Sequence, residues 1–444
     1  MVLALPVAAQ MLLQSFLGMA DVLMVGSLGA EAVAAVGLAA KLHFLMLITM
    51  LGVATACAIM VAQYTGAGNF AGCQRTLAMA LLVGTLFMVP FTLLFFLSDL
   101  WVGLVNPDPA VSELTATFLL ITAPVLIIAQ LITVFEAALR ATGNTLVPLL
   151  MGALGVLLNI FFNYVLIFGH WGFPAMGVAG AAWGTLLARM VQLAATLLWL
   201  YGVRHGFALR WADFVRGIDL HGLRRFLRFT TPLLVNHAMW ALGNVTYHVA
   251  TGFAGTHALA VMGVMVPLES SFFALFVGLA NASAVLVGRA LGAGDNLGAQ
   301  RLVRFFNRLA ISLVVVLSLS VWLGRGWILA AFDHVDETTI TLLSQVVLVF
   351  CLGVWVKVLN MLRILGVLRA GGDITYCLLV DFVVMWVFGV PIFIAAVIYG
   401  QFPFVVLYAL MYVEDALKWL PIRWRVRTGV WQNNLTSEPE KTTP

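Results

Sequence analysis

The feature that most constrains this chain is a succession of long, almost uncharged apolar runs. Twelve stand out, at about 3–27, 32–65, 76–103, 110–139, 145–169, 178–204, 227–254, 258–291, 302–330, 338–368, 374–400 and 402–422. Each is roughly 20–30 residues long, the length an α-helix needs to cross a bilayer. In hydrocarbon every backbone N–H and C=O must be satisfied within the segment, so such runs fold as helices. The ten-residue alternation of an outer-membrane barrel does not fit them. Only 9% of the residues are charged, against about 25% in an average soluble domain. A soluble globular protein and a disordered chain are both excluded. A net charge of +4, with the basic residues scattered through short loops, also excludes a nucleic-acid binder.

The basic residues set the expected orientation. Arg75, Arg140, Arg204, Arg224, Arg225, Arg289, Arg301, Arg363, Arg369, Lys418 and Arg423 fall on one side of the runs. The other side holds Arg325 with the acids Glu31, Asp99, Asp108, Asp333, Asp336 and Glu337. The positive-inside rule then predicts that both termini are cytoplasmic. It predicts the same for a basic linker at 205–228 and a polar, disordered tail at 425–444. The expected home is the inner, cytoplasmic membrane. Cys57, Cys73, Cys351 and Cys377 lie in or beside apolar runs, with no metal-ligand spacing, and read as small buried hydrophobes.

The chain also repeats itself. An offset of 226 residues carries Pro6 onto Pro232, Gly26 onto Gly252, Gly29 onto Gly255 and Gly37 onto Gly263. The same offset aligns GVATACAIMVAQYTGAGNFAGCQR (52–75) with GLANASAVLVGRALGAGDNLGAQR (278–301). Eleven of those 24 positions are identical, against roughly two expected by chance in so apolar an alphabet. A second pair, LRATGNT (139–145) and LRAGGDI (368–374), is shifted by three more. The unit is six helices, an even number, so the two halves share one orientation about an axis along the membrane normal. The expectation is an N-lobe at 1–204 and a C-lobe at 229–424, the architecture of a rocking transporter. A duplicated channel or scaffold is the bland alternative.

The ordered motifs resemble the multidrug and toxic compound extrusion (MATE) transporters over nearly the whole chain. They are Pro6, ADVLMVGSLG (20–29), QYTGAGN (63–69), LRATGNTLVP (139–148), NIFFNYVLIFG (159–169) and GFPAMGVAGAAWGT (172–185), echoed by GRALGAGD (288–295) and LRAGGD (368–373). The resemblance leans to the DinF-like proton-coupled type rather than to NorM. It implies an all-α fold of two six-helix lobes forming a V-shaped cleft. It also implies antiport of organic cations and other amphiphiles by a monomer in the lipid bilayer, with no nucleic acid and no cofactor. The coupling ion it implies is a proton, with Na⁺ as the alternative. A flippase of the same superfamily would carry fourteen helices or a strongly basic cleft. An intramembrane enzyme would need a nucleophile or metal set, and no GxSxG or HExxH pattern occurs.

A charge at mid-membrane costs at least about 2.5–3.5 kcal/mol, so each one needs a reason. Asp21 lies inside the first run. Gln10, Gln14 and Asp21 are spaced i, i+4, i+11, within about 40° of one another on a helix, and form a polar stripe. The stripe is expected to face the lobe interior, with Gln10, Gln14 and Asp21 as candidate substrate contacts. Asn159 and Asn163 share a face of the fifth helix, and an amide can serve a carboxyl in either protonation state. The family places a protonatable Asp in the first helix, matched by Asp21. It completes that site from the fifth and sixth helices, which matches Asn159, Asn163 and Thr185. Some relatives carry an acid where Asn163 stands, so this chain has one carboxylate there instead of two.

In the second lobe the stripe becomes Asn236, Trp240, Asn244 and Tyr247, without an acid. Trp240 and Tyr247 are candidates to hold a flat cation by cation–π contact. Glu269 is a candidate to attract cationic substrates, or else a partner of Lys41 or His43. Lys357 and Asp381 are expected to pair, as are Glu136 and Arg140 at i, i+4. Arg189 has no obvious mate apart from Asp21. Pro6 removes a backbone hydrogen bond and is expected to permit a bend in the helix that carries Asp21.

Overall fold

The computed structural model describes residues 3–106, 108–209, 214, 217–330, 337–400 and 402–436. They form helices throughout, as the apolar runs require. These are α1 (Ala4–Gly26), α2 (Ala30–Gly66), α3 (Phe70–Phe96), α4 (Ser98–Val105), α5 (Pro109–Ala141), α6 (Leu146–Phe168), α7 (Gly177–Gly202) and α8 (Leu220–Gly252). There follow α9 (Thr256–Gly292), α10 (Asn296–Leu323), α11 (Arg325–Ala330), α12 (Glu337–Arg363), α13 (Ile374–Phe382), α14 (Val390–Tyr399) and α15 (Phe404–Thr428). Wider π-type turns continue α12 through Ile364–Leu368 and join α13 to α14 through Val383–Gly389.

Among the described residues, ten helices are long and apolar enough to cross a membrane. The other two long helices, α8 and α15, stand where the seventh and twelfth runs were expected. They fall short in hydropathy because α8 carries polar groups such as Asn236 and Tyr247, and α15 carries Glu414 and Lys418.

Several boundaries differ from the sequence expectation. The third and ninth runs are each broken, into α3–α4 and α10–α11, at matching places of the repeat. At the first break Leu97 leaves helical geometry and Ser98 donates its hydroxyl to the carbonyl of Ala116 on α5. Helix α8 starts at Leu220, so residues 220–228 are helical and not linker. The tail is ordered as far as it is described. α15 runs to Thr428, Gly429 closes it in the left-handed region, and the Trp431 side chain is buried. Residues 437–444 lie outside the described residues.

The repeat is visible in the capping. Asn69 accepts from the Gly72 N–H at the start of α3, and Asp295, 226 residues on, accepts from the Gly298 N–H at the start of α10. Both side chains satisfy a helix N–H that has no partner within the helix.

The helices cluster into two compact units. One contains Ala9–Val61 and Asn69–Leu234. Its core includes Val25, Met50, Met88, Phe95, Leu119 and Leu126. The other contains the described residues of Met1–Ala8, Ala62–Gly68 and Val235–Pro444. Its core is built on Phe276, Phe350, Val354, Phe393 and Tyr408. The last turn of α2 therefore belongs with the second unit.

In that unit the last turns of α2 and α9 meet reciprocally. A Cβ on Gly66 would lie 2.0 Å from the Arg289 carbonyl oxygen, and one on Gly292 would lie 1.9 Å from that of Gln63. Gly66 and Gly292, like Gln63 and Arg289, are 226 residues apart, so one contact is made twice. The buried Gln63 amide ties the C-terminal segment in. Its Nε2 donates to the carbonyls of Ala370 and Asn433, and its Oε1 accepts from the Leu435 N–H at 2.6 Å.

Candidate functional site: buried polar networks in each unit

In the first unit, α1, α6 and α7 bring together Asp21 and the three residues expected around it, Asn159, Asn163 and Thr185. Asn163 donates Nδ2 to Asp21 Oδ1 at 2.7 Å and to Asn159 Oδ1 at 3.0 Å. Asn159 donates Nδ2 to Thr185 Oγ1 at 3.1 Å. Both asparagines are buried and Asp21 is half-buried. Space for the amides comes from a missing side chain, since a Cβ on Gly184 would lie 2.2 Å from Asn163 Oδ1. That buried Oδ1 has no hydrogen-bond partner among the described residues.

A second cluster lies further along α7 and joins α1, α5 and α7. Gln10 donates Nε2 to Glu136 Oε2 at 2.8 Å, and its Oε1 accepts from Arg140 Nη1 at 3.2 Å. Arg140 also bonds Glu136 Oε2 at 3.2 Å, the i, i+4 pair expected from sequence. Gln192 donates to Glu136 Oε1 at 3.4 Å and accepts from Arg189 Nη1 at 2.8 Å. Gly152 and Gly155 on α6 leave room for the ends of Gln10 and Gln192.

The expected stripe on α1 is thus divided. Gln10 is buried against Glu136, Gln14 is exposed, and Asp21 belongs to the asparagine cluster. The three share an azimuth, but about three turns separate the ends and each depth meets different neighbours. Pro6 lies in the first described turn of α1. Its repeat counterpart Pro232 lies inside a helix, α8.

In the second unit the expected pairings change. Lys357 pairs with Glu269 at 3.8 Å and not with Asp381. Glu269 also accepts from the hydroxyl of the buried Tyr408, so its carboxylate is engaged. Neither Lys41 nor His43 is needed to explain it. The His43 Nδ1 lies 3.0 Å from its own helix carbonyl at Ala39, and the ring packs on Phe95 and Phe118.

Asp381 accepts from Lys418 at 3.0 Å and from Asn236 at 2.8 Å. Lys418, expected near the cytoplasmic side, is buried and also holds Glu414 at 2.6 Å. Tyr247, a proposed aromatic contact, donates its hydroxyl to Glu414 at 2.8 Å and packs edge-on against Phe393. Trp240 is exposed. Asn236 accepts from Arg369 at 2.6 Å, which completes a line of side chains from Tyr247 to Arg369.

Sequence reasoning missed Gln192 and Glu414. A signal existed for both: Thr185, Arg189 and Gln192 are spaced i, i+4, i+7, and Glu414 and Lys418 are i, i+4 within an apolar run.

Comparison with known proteins agrees with this architecture. A family model described as MatE matches residues 6–165 and again 232–394, starting points 226 residues apart. A probable multidrug resistance protein NorM of Thermotoga maritima is 26% identical over 403 residues, covering 90% of this chain and 85% of that one. Its namesake from Agrobacterium fabrum is 31% identical over 303 residues, covering 66% of this chain and 63% of that protein's length. Among solved structures, an outward-facing multidrug resistance MATE transporter superposes with a TM-score of 0.86 at 18% identity, over 97% of this chain and 95% of that one. A Vibrio cholerae MATE transporter gives 0.85 at 18% identity, over 97% of each. With its family model matched in both halves of the repeat, the chain belongs to the MATE family of multi-pass membrane transporters.

Proposed function

We propose that this transporter is a proton-coupled exporter of amphiphilic or cationic small molecules across the inner membrane, with both termini cytoplasmic. Asp21 carries the proton. The observation that carries this reading is the bond from Asn163 Nδ2 to Asp21 Oδ1 at 2.7 Å. As arranged, the amide donates to an ionised carboxylate, while its own Oδ1 is buried against Gly184 with no partner among the described residues. Turned over, the same amide accepts from a protonated carboxyl. One side chain thus serves both states of the cycle, and Asn159 and Thr185 relay the change to α6 and α7.

Protonation from outside removes the charge that holds a cation and favours its release. Deprotonation toward the cytoplasm restores that charge. Such a cycle requires different substrate affinities in the two protonation states. The relatives bear the NorM name, and the proton reading sides instead with the DinF-like type. What favours it is a site with a single carboxylate surrounded by amides and a hydroxyl. Gln14, Trp240 and Glu269 remain the proposed substrate contacts in this reading.

The test is reconstitution in liposomes under imposed proton or sodium gradients. Wild type should export an organic cation under the proton gradient, and Asp21→Asn should not. Coupling to sodium alone, or undiminished proton-driven export by Asp21→Asn, refutes the assignment.

A further inference from the structure

Arg189 stands between the two clusters of the first unit. It lies on the face of α7 that carries Thr185, in the Asp21 cluster, and Gln192, in the Glu136 cluster. Its Nη1 donates to the neutral Oε1 of Gln192 at 2.8 Å. Its charge acts on both Asp21 and Glu136. Arg140, the other cation, is tied directly to Glu136 and Gln10. The clusters therefore hold two acids, Asp21 and Glu136, and two cations, Arg140 and Arg189. They balance when Asp21 is ionised and carry one excess positive charge when it is protonated. A guanidinium has five donors and a long, rotatable stem, so Arg189 can exchange the Gln192 amide for the Asp21 carboxylate of α1.

We infer that Arg189 is an internal counter-cation that competes with cationic substrate for Asp21, and that Gln192, itself held by Glu136, is the second partner to which it withdraws when it leaves the carboxylate. In this role Arg189 is a positioning residue. It keeps the ionised site from standing as a bare carboxylate in the membrane, and a substrate cation must displace it. Glu136 acts at one remove, by orienting Gln192 to receive the guanidinium. This inference rests on the proposed role of Asp21.

The experiment is binding of tetraphenylphosphonium to purified protein, measured by calorimetry, in wild type, Arg189→Gln, Asp21→Asn and the double variant. Removal of the competitor should tighten binding by about fivefold or more. The gain should vanish in the Asp21→Asn background, since Arg189 acts only through that carboxylate. In liposomes, Arg189→Gln should lower KM while lowering kcat, and Arg189→Lys, which keeps the charge, should restore a wild-type KM.

An unchanged or weakened affinity in Arg189→Gln overturns the inference. So does a gain that persists with Asp21→Asn. If Arg189→Gln does not fold, Arg189→Lys and Gln192→Leu carry the test. The first should bind as wild type does, and the second, which removes the partner to which Arg189 withdraws, should bind more weakly; the opposite order overturns the inference. Proton-driven export by Asp21→Asn is a separate measurement. Its persistence would refute the coupling role of Asp21, whereas a substrate affinity insensitive to Arg189 refutes only the competition.

Discussion

Arg369 donates to Asn236 at 2.6 Å in the second unit, at the place where Arg140 donates to Gln10 at 3.2 Å in the first. Gln10 and Asn236 are related by the 226-residue offset, and Arg140 and Arg369 by the second offset of 229. Each amide also donates to an acid, Glu136 in one unit and Asp381 in the other. The amide–arginine–acid arrangement is thus made twice, with its acid drawn from different helices. Glu136 lies on α5, the fourth run, but Leu365 stands at its repeat position. Asp381 lies on the eleventh run, at the repeat position of Gly152.

Asn236→Leu would leave Arg369 and Asp381 without the amide between them. A buried group left unsatisfied costs about 1–3 kcal/mol, and more when charged. The expected result is a clear fall in the thermal unfolding midpoint in detergent, partly regained in Asn236→Gln. A midpoint equal to wild type in Asn236→Leu would show that the bridge contributes nothing.

Asn163→Leu keeps approximate volume at the proposed coupling site and removes both faces of the amide. Proton-driven export should fall by about tenfold or more, in line with a coupling free energy of 1–3 kcal/mol. The folded fraction should change little. Flux measurements on liposomes matched for protein content decide this, and flux within twofold of wild type, on the order of 0.4 kcal/mol or less, counts against it.

Two glycines should respond oppositely to alanine. In Gly292→Ala the new Cβ meets the Gln63 backbone at 1.9 Å, so main chain must move and the protein should lose stability and folded yield. Gly18 in α1 has open space around its Cβ position. There alanine should be neutral or stabilising by up to about 1 kcal/mol, because glycine loses more backbone entropy in a helix. Equal behaviour of the two variants would mean that the Gly292–Gln63 contact is not tight in solution.

Gln130 on α5 is fully buried, and neither its Oε1 nor its Nε2 has a hydrogen-bond partner among the described residues. Gln130→Met retains the shape without the amide. It should raise stability by about 1–3 kcal/mol, read as a higher unfolding midpoint. A lower midpoint would point instead to a polar ligand of that amide.

Much of this protein was legible in its sequence. The apolar runs determined the spans, because a backbone in hydrocarbon has no alternative to the helix. The 226-residue offset determined the internal duplication, down to paired caps at Asn69 and Asp295. The grouping of Asp21 with Asn159, Asn163 and Thr185 was expected from spacing and family resemblance together, and their bonds are present. Only the tertiary structure decided which charges meet. Periodicity reports the azimuth of a residue on its own helix, whereas an ion pair depends on the relative depth and rotation of two helices. For that reason Lys357 was expected with Asp381 and found with Glu269, and Gln14 parted from its stripe. Lys418, expected near the cytoplasmic side from charge bias alone, lies buried between two acids that come from different helices.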